Sequence, residues 1–315
     1  IKMAKAGVSE PAELNRLGAA LSKEAAGDRA LVFASIGSTG ELIGLTSEYS
    51  EDDIEGVFAE QVAAILEGDP DAFVVETFTD LTEARCALRA IHGLCDLPVA
   101  VSLTFDEGRR GPATLMGVTP EQAAQELTEA GADFVGANCG GLSVEGWVQV
   151  VTTMKANTDR PIWAKANAGV PQLVAGKSVF PMEPTEFAGL GKQLVEAGAK
   201  VIGGCCGTSP EHTAAMAGAL RGLPMDPATL PQLASFSEPK PGEPPPPTGL
   251  AQALGRDFVI TVEMHPPRGI DSSEILANAI RLKESGATVL NVADSPLARM
   301  RMSPWACAYL IQQQV

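Results

Sequence analysis

The amino-acid sequence predicts an α/β fold, namely a (β/α)8 barrel of the TIM type that lacks its first two βα units. Six short apolar strands alternate with amphipathic helices up to residue 221, which is typical of parallel strands covered by helices. A polar residue stands at the carboxyl end of nearly every strand. A barrel gathers all of these ends around one mouth, whereas an open sheet uses mainly its switch point. Because the chain begins inside a helical pattern, two units are expected to be missing before it.

The first predicted element is a helix over residues 9–26, with Ser9 as its cap, Pro11 in its first turn and an apolar stripe along one side. The strands that follow are expected at residues 31–36, 72–78, 98–105, 134–138 and 161–167, and from 200 into a glycine-rich bend. The helices between and after them are expected at residues 51–66, 80–94, 119–130, 143–156, 184–197 and 210–221. This regular alternation defines a first domain over residues 1–221.

The composition changes after this domain. Residues 222–254 form a predicted proline-rich linker, which is stiff and extended rather than packed. Residues 255–315 then begin a new pattern: a strand at 257–265, a capping box at 271–274 that opens a helix, a second strand at 288–293 and a helix from about 303. One and a half βα units cannot bury a core alone, so this segment is expected to be the start of a second TIM-type barrel.

The charge and cysteine content exclude several classes of partner. The chain has 23 Lys and Arg against 39 Asp and Glu, a formal net charge of −16. Such a surface repels nucleic-acid backbones and anionic membranes, and no stretch approaches the ~20 apolar residues of a membrane span. Six cysteines in 315 residues are too few for a disulfide scaffold, so a cytoplasmic location is expected.

Three of the cysteines stand at strand ends. Cys139 follows the strand 134–138, and the adjacent pair Cys205 and Cys206 follows the strand that starts at residue 200. Neighbouring side chains of a regular strand point to opposite faces, so the pair can converge only if the backbone leaves strand geometry. The glycines on both sides of the pair make that departure sterically easy. The sequence therefore predicts a metal site built from three thiols.

The ligand type indicates the chemistry. Zinc binds thiolates readily, and three protein ligands with a fourth position open are typical of a catalytic site. Three thiolates on Zn²⁺ carry a net charge of about −1 by formal counting, which makes a poor Lewis acid for hydrolysis. The same site suits a fourth, exogenous thiol, because the metal holds it deprotonated while its sulfur remains nucleophilic. Alkyl transfer to a thiol is the reaction class that follows.

Other interpretations of these cysteines remain. A redox pair at Cys205–Cys206 is less favoured because adjacent cysteines bridge only through a strained ring. A phosphate site at the last strand–helix turn would make the protein a phosphate-binding barrel enzyme of small-molecule metabolism. Cys86, Cys95 and Cys307 are expected to be packing residues, since free cysteines are among the most buried residue types.

The strand-end motifs resemble those of the homocysteine S-methyltransferase family, a (β/α)8 barrel family. The stretches that carry the resemblance are residues 35–40, 76–78, 136–139, 167–171 and 203–208. Ser38 stands where the family usually has proline. The resemblance implies that Cys139, Cys205 and Cys206 bind zinc and that the homocysteine sulfur is the fourth ligand. Because the family's first two units are absent from the sequence, a catalytically inactive module is the alternative.

The resemblance also implies a substrate site. Glu76 would hold the amino group of homocysteine, which suits a carboxylate at a strand end that faces an ammonium group. Further candidates for substrate binding are Ser35, Asn138 and Asn167. The methyl donor can be S-methylmethionine, S-adenosylmethionine or a methyl-folate. His212 follows the cysteine pair on a helix and is expected to face away from the metal.

Residues 261–268 resemble the first strand of methylenetetrahydrofolate reductase, another (β/α)8 barrel, which uses FAD. The resemblance implies that Glu263 is the catalytic acid of a reductase, and that FAD, NAD(P)H and folate bind only to a complete domain. His265, next but one to Glu263, is expected to line that second barrel. The order of the two segments is similar to that of bacterial proteins that join both activities, one making methyl-folate and the other methylating homocysteine.

Overall fold

The structure is a computed structural model, and it describes residues 1–5, 7–44, 46–174, 177–222, 261–267, 271–287, 289–292 and 304–314. The chain divides into two compact units, residues 1–238 and 239–315, and each is described by itself. Most of the predicted linker, residues 222–254, lies outside the described ranges, so the predicted domain boundaries stay predictions. No helix in the described ranges is long and apolar enough to cross a membrane.

The first unit alternates strands and helices. Its strands are β1 Phe33–Gly37, β2 Ala72–Phe78, β3 Val99–Leu103, β4 Phe134–Asn138, β5 Ile162–Ala166, β6 Gln172–Val174, β7 Lys177–Val179 and β8 Ala199–Gly204. Its helices are α1 Lys2–Lys5, α2 Pro11–Ala26, α3 Glu51–Leu66, α4 Leu81–His92, α5 Pro120–Glu129, α6 Val144–Ala156, α7 Pro184–Glu196 and α8 Pro210–Leu220. The six predicted strands and the helices between them are confirmed within a few residues.

The sheet of the first unit is parallel and follows chain order. Strands β1, β2, β3, β4, β5 and β8 lie side by side in that sequence, six strands in all. Consecutive βα units give this order when each new strand adds to the same edge, whereas a doubly wound sheet reverses at a switch point. The α/β class and the parallel sheet are thus confirmed, and the TIM-type barrel that lacks its first two βα units stays a prediction.

The two faces of this sheet have different neighbours. In β2, Phe73 and Val75 belong to the main core between sheet and helices, while Val74 between them belongs to a separate apolar cluster on the other face. That second cluster takes one side chain from each strand of the sheet: Phe33, Val74, Ala100, Phe134, Trp163 and Val201. The alternation follows from the two-residue period of a strand, and the cluster on this inner face consists of strand residues among those that the structure describes.

Two local expectations are wrong, and one element of the structure is not predicted. Helix α2 begins at Pro11 with Glu10 as its N-cap, rather than with Ser9, because proline favours the first helical position. The capping box predicted at 271–274 does not form: the N-cap is Ser272, which makes no side-chain cap hydrogen bond, and Asp271 instead accepts from the Ser273 N–H at 2.9 Å. The antiparallel hairpin of β6 and β7 is not predicted at all, because three-residue strands carry too little alternation to detect.

The second unit contains two parallel strands, β9 Thr261–Met264 and β10 Val289–Val292. Two helices, α9 Ser273–Glu284 and α10 Pro304–Gln314, accompany them. A small core of buried residues joins these elements: Met264, Ile275, Ala279, Cys307 and Ile311. The described part therefore agrees with the predicted βα pattern, while residues 257–260 of the predicted first strand lie outside it.

One partly buried carboxylate links α2 to the start of the sheet and makes stability depend on pH. Asp71 accepts hydrogen bonds from Lys23 and from the backbone N–H of Val32, the latter at 2.7 Å. Burial raises the pKa of Asp71, but the hydrogen bonds from Lys23 and Val32 outweigh it, so the net shift is downward. A carboxyl with a lowered pKa stabilises the fold above its unfolded pKa of about 3.9, and this is lost as the pH falls through the folded value.

We therefore expect Asp71→Asn to lower the free energy of unfolding at pH 7 by about 1 kcal/mol, since it removes one charge-assisted contact. The difference from the wild type should shrink as the pH falls below about 4. Urea denaturation at a series of pH values measures both. Asp159→Asn, at a carboxylate that is 89% exposed, is the matched control. An equal loss at pH 7 and at pH 3 would show that the charge of Asp71 is not responsible.

Candidate metal centre

The structure brings the three predicted cysteines together. Cys139 follows the end of β4, while Cys205 and Cys206 follow the end of β8, with β5 lying between the two strands. The three Sγ atoms lie within 4.8 Å of one another, and those of Cys139 and Cys206 are 3.7 Å apart. The group lies at the carboxyl-terminal edge of the parallel sheet, where α/β proteins place their active sites.

A left-handed turn presents Cys139. Its φ is +61°, which is unusual for a residue with a side chain, and Gly140 follows with φ +73°. The Cys139 N–H still donates to the Lys165 carbonyl at 3.1 Å, so the backbone leaves the sheet only after this bond. A Cβ atom on Gly140 would lie 2.1 Å from the Phe105 carbonyl oxygen. Only glycine fits there, because the turn passes directly against the neighbouring strand.

The backbone leaves the sheet between the other two cysteines. The Cys205 N–H donates to the Ala166 carbonyl at 2.8 Å and continues the ladder with β5. The Cys206 N–H instead donates to Oδ1 of Asn167 at 3.1 Å. This change of partner lets two adjacent side chains approach one point, as the glycine-rich sequence predicts.

The donor set fits a zinc ion. Two sulfur atoms that each lie about 2.3 Å from a tetrahedral metal are about 3.8 Å apart, close to the 3.7 Å between Cys139 and Cys206. A disulfide requires about 2.05 Å, and all six cysteines of the chain are free thiols. The spacing therefore suits three ligands of one ion better than a redox pair.

The hydrogen bond between Cys139 and Cys205 shifts the pKa values of these two thiols in opposite directions. The pKa of Cys139 is lowered to about 7, chiefly because the thiol of Cys205 donates a hydrogen bond to its thiolate. The pKa of Cys205 is raised for the same reason, and burial raises it further. Burial is the main cause that raises the pKa of Cys206. Of the three thiols, that of Cys139 therefore loses its proton most easily.

The side chain of Asn138 lies next to Cys205 and is held by hydrogen bonds to protein groups. Its side chain is buried, and its Oδ1 accepts from the Thr77 N–H at 2.9 Å and from the Ser102 hydroxyl at 2.7 Å. Its Nδ2 donates to Thr77 Oγ1 at 2.7 Å and lies 3.8 Å from the sulfur of Cys205. Thr77 adopts φ +65° to make these contacts. The amide is thus occupied by protein partners, and its predicted contact with substrate stays a prediction.

Asn167 connects the two cysteine loops. It is buried, its Nδ2 donates to the Gly140 carbonyl at 2.8 Å, and its Oδ1 accepts from the Cys206 N–H. One amide therefore holds the loop after β4 and the turn after β8 at a defined separation. The substrate contact predicted for Asn167 stays a prediction, and its structural contacts here are those of a positioning residue.

Glu76 lies on the inner face in an ion pair. Its Oε2 is 2.6 Å from Nζ of Lys165, and its Oε1 accepts from the Ser35 hydroxyl at 2.8 Å. The predicted residues Ser35 and Glu76 therefore meet, and the structure adds Lys165, which the sequence analysis did not single out. It is the one charged residue within the strand Ile162–Ala166, and this departure from an apolar pattern is the signal that reveals it.

The remaining predicted residues lie elsewhere. His212 is buried, its Nδ1 accepts from the Ser209 N–H at 3.1 Å and its Nε2 lies 2.9 Å from the Met182 carbonyl oxygen, so its ring nitrogens are engaged away from the thiols. Glu263 belongs to the second unit and lies exposed, with Oε1 3.2 Å from Nε2 of His265. Its predicted role as a catalytic acid stays a prediction.

The packing role predicted for the other cysteines is confirmed. Cys86 and Cys307 are fully buried, each in the apolar core of its own unit. Cys95 is partly buried against the main core. Desolvation raises the pKa of the thiols of Cys86 and Cys307, and a raised pKa is typical of unreactive structural cysteines.

The fold and the site define a parallel α/β protein with a group of three thiols at the carboxyl ends of its strands. The particular family follows from comparison with known proteins. Residues 1–220 match the homocysteine S-methyltransferase family, and the chain belongs to that family.

Individual relatives are more distant. Methionine synthase of Mycobacterium leprae (strain TN) is 28% identical over 173 residues, which make up 53% of this chain and 14% of that protein. Methionine synthase of Mycobacterium tuberculosis (strain ATCC 25618 / H37Rv) is 27% identical over 176 residues, again 14% of its length. The solved homocysteine methyltransferase MmuM of Escherichia coli is 20% identical with a TM-score of 0.48, covering 65% of this chain and 67% of that one. The chain thus spans a small part of the curated relatives.

Proposed function

We propose that this protein transfers a methyl group to the thiol of homocysteine, giving methionine, with a zinc ion held by Cys139, Cys205 and Cys206. The observation that carries the proposal is the trio of sulfur atoms within 4.8 Å of one another in a chain of the homocysteine S-methyltransferase family. Three thiolate ligands leave one tetrahedral position for an incoming sulfur.

The bound zinc would keep that incoming thiol deprotonated at neutral pH. The chain's own residues prepare the ligands. Asn167 holds the two cysteine loops at a defined separation, and the buried amide of Asn138 lies beside Cys205. The sulfur of homocysteine forms a bond to the methyl carbon as the bond from that carbon to the donor breaks. The thiol proton would pass to solvent when the sulfur binds to zinc, and the donor would leave with the electron pair of the broken bond, so the transfer itself would need no general base.

We propose that Glu76 holds the amino group of homocysteine, with Ser35 supporting the carboxylate through its hydroxyl. The methyl donor is S-methylmethionine, S-adenosylmethionine or a methyl-folate, since each suits the same acceptor.

For the second unit, the proposal is that residues 255–315 begin a methylenetetrahydrofolate reductase domain in which Glu263 is the acid. FAD and NAD(P)H belong to that part of the proposal, as does a cytoplasmic location for the whole protein.

The phosphate-binding alternative has weaker support, because three of the backbone N–H groups at the turn where a phosphate would bind already have protein acceptors. At the turn before α8, the N–H of Cys206 donates to Asn167, that of Thr208 to the Cys205 carbonyl at 3.3 Å, and that of Ser209 to His212. A phosphate at a helix N-terminus is bound by free N–H groups. This turn therefore suits thiol ligands better than an anion.

Metal analysis and methionine formation test the proposed function together. We expect the purified full chain to contain about one zinc per molecule, and zinc-loaded protein to form methionine from homocysteine with at least one of the three donors. Each donor is assayed separately by mass spectrometry. Zinc at one equivalent without methionine formation would indicate the inactive-module alternative. No zinc binding at all would contradict the proposed centre.

A further inference from the structure

Lys165 is a cation placed on the inner face beside the cysteine centre. Its carbonyl accepts the N–H of Cys139, and it pairs in register with Asn138 on one side and Gly203 on the other. Its side chain is only 21% exposed. A lysine in such a place costs desolvation energy, so it requires an anionic partner.

The contact between Glu76 and Lys165 indicates a concave inner face, because strand side chains stand roughly perpendicular to a sheet and would not meet across about 14 Å of a flat one. Glu76 on β2 and Lys165 on β5 lie three strand spacings apart, about 14 Å along a flat sheet, yet their charged atoms are 2.6 Å apart. The two side chains therefore reach toward each other across the interior of a curved sheet. Gly203 makes room for the lysine, because a Cβ atom at that position would lie 3.1 Å from Lys165 Cγ.

We propose that Lys165 binds the α-carboxylate of the amino-acid substrate while Glu76 binds its ammonium group. This inference rests on the proposed function and names the residue that selects an α-amino acid over a simple thiol. The ion pair presents one positive and one negative group on the same face, and a zwitterionic amino acid carries the matching pair. Each oxygen or nitrogen of the pair has further hydrogen-bonding capacity, so the substrate can join the two groups without separating them.

Charge balance supports this assignment. Three thiolates on a zinc ion have a net charge of about −1, and Glu76 adds another negative charge on the same face. A substrate carboxylate that enters without a cation would meet repulsion from both. Lys165 contacts Glu76 directly and supplies the compensating charge at the place where the substrate's two charged groups would arrive. A plain structural ion pair is the competing explanation, in which Lys165 merely orients Glu76.

Three thiols separate these explanations: homocysteine, 3-aminopropane-1-thiol, which lacks the carboxylate, and 4-sulfanylbutanoate, which lacks the ammonium group. Their affinities for the zinc-loaded full chain are measured by titration calorimetry. We expect Lys165→Met to weaken homocysteine binding by about 10- to 100-fold, the effect of losing one hydrogen bond between charged groups. The affinity for 3-aminopropane-1-thiol should change by less than about threefold, and Lys165→Arg should restore most of the homocysteine affinity.

Glu76→Gln provides the mirror control, because it should weaken both ligands that carry an ammonium group and spare 4-sulfanylbutanoate. Zinc content and the urea midpoint are checked for every variant, so that only folded, loaded protein is compared. If Lys165→Met weakens homocysteine and 3-aminopropane-1-thiol equally, Lys165 only positions Glu76 and the inference is wrong. If the wild-type protein loads with zinc but binds none of the three thiols, the proposed function fails instead.

Discussion

Replacing Cys205 by serine is expected to remove the bound zinc and to reduce methionine formation by at least about 1,000-fold, because a hydroxyl is a far weaker zinc ligand than a thiolate at neutral pH. Cys205 is next to Cys206 in sequence, and its sulfur lies within 4.8 Å of the Cys139 sulfur. Only two of the three thiols of the site remain in the variant, and structural and catalytic zinc sites use at least three protein ligands. Metal content by emission spectrometry and methionine formation by mass spectrometry measure the two losses.

The matched control is Cys95→Ser, which makes the same chemical change at a cysteine that packs against the main core. It should retain about one zinc per chain and near-normal methionine formation, with at most a modest loss of stability. Retention of stoichiometric zinc in Cys205→Ser would exclude Cys205 as a ligand. Equal loss in both variants would point to a general effect on folding.

Replacing Gly140 by alanine is expected to lower the free energy of unfolding by about 2–5 kcal/mol, through two effects of one methyl group. The first is the cost of a side chain at φ +73°. The second is steric, since the new Cβ would lie 2.1 Å from the carbonyl oxygen of Phe105. Relief of that overlap must move the loop that carries Cys139, so zinc affinity should fall as well. Urea denaturation and competition with a zinc chelator measure the two changes.

Gly117→Ala separates the two effects. Gly117 has a similar φ of +83°, but nothing lies within 4 Å of the position that its Cβ would take. The substitution should therefore cost only about 1 kcal/mol, from the backbone conformation alone. If both alanine variants unfold at the same urea concentration, the close approach between Gly140 and the Phe105 carbonyl does not contribute to stability.

The local elements follow from the sequence because their causes are local. Residues 72–75 are all apolar, which predicts a buried parallel strand, and Ser50 caps α3 by accepting a hydrogen bond from the Asp53 N–H. The cysteine motifs are also local: each consists of an apolar strand followed by glycine and a thiol. The errors concern helix starts and the short hairpin of β6 and β7, where single hydrogen bonds and very short segments decide the structure.

The contacts that complete the site are not local. Lys165 and Glu76 are separated by 89 positions in the chain, and Asn138 contacts Thr77 across 61 positions. Which strands face each other across the inner face depends on the curvature and order of the sheet. The residue pattern of a single strand contains no information on the curvature or the strand order of the sheet. The ion pair and the amide network could therefore not be predicted from the motifs.

The sequence by itself determined the succession of βα units, the change of composition after residue 221 and the three cysteines at strand ends, because alternation, glycine placement and residue chemistry act within a few positions of the chain. The tertiary structure alone decided that the three sulfur atoms lie within 4.8 Å of one another and that Lys165 meets Glu76 beside them. The physical reason is that a curved parallel sheet brings distant strand ends to one place, and that convergence is a property of packing rather than of any single segment.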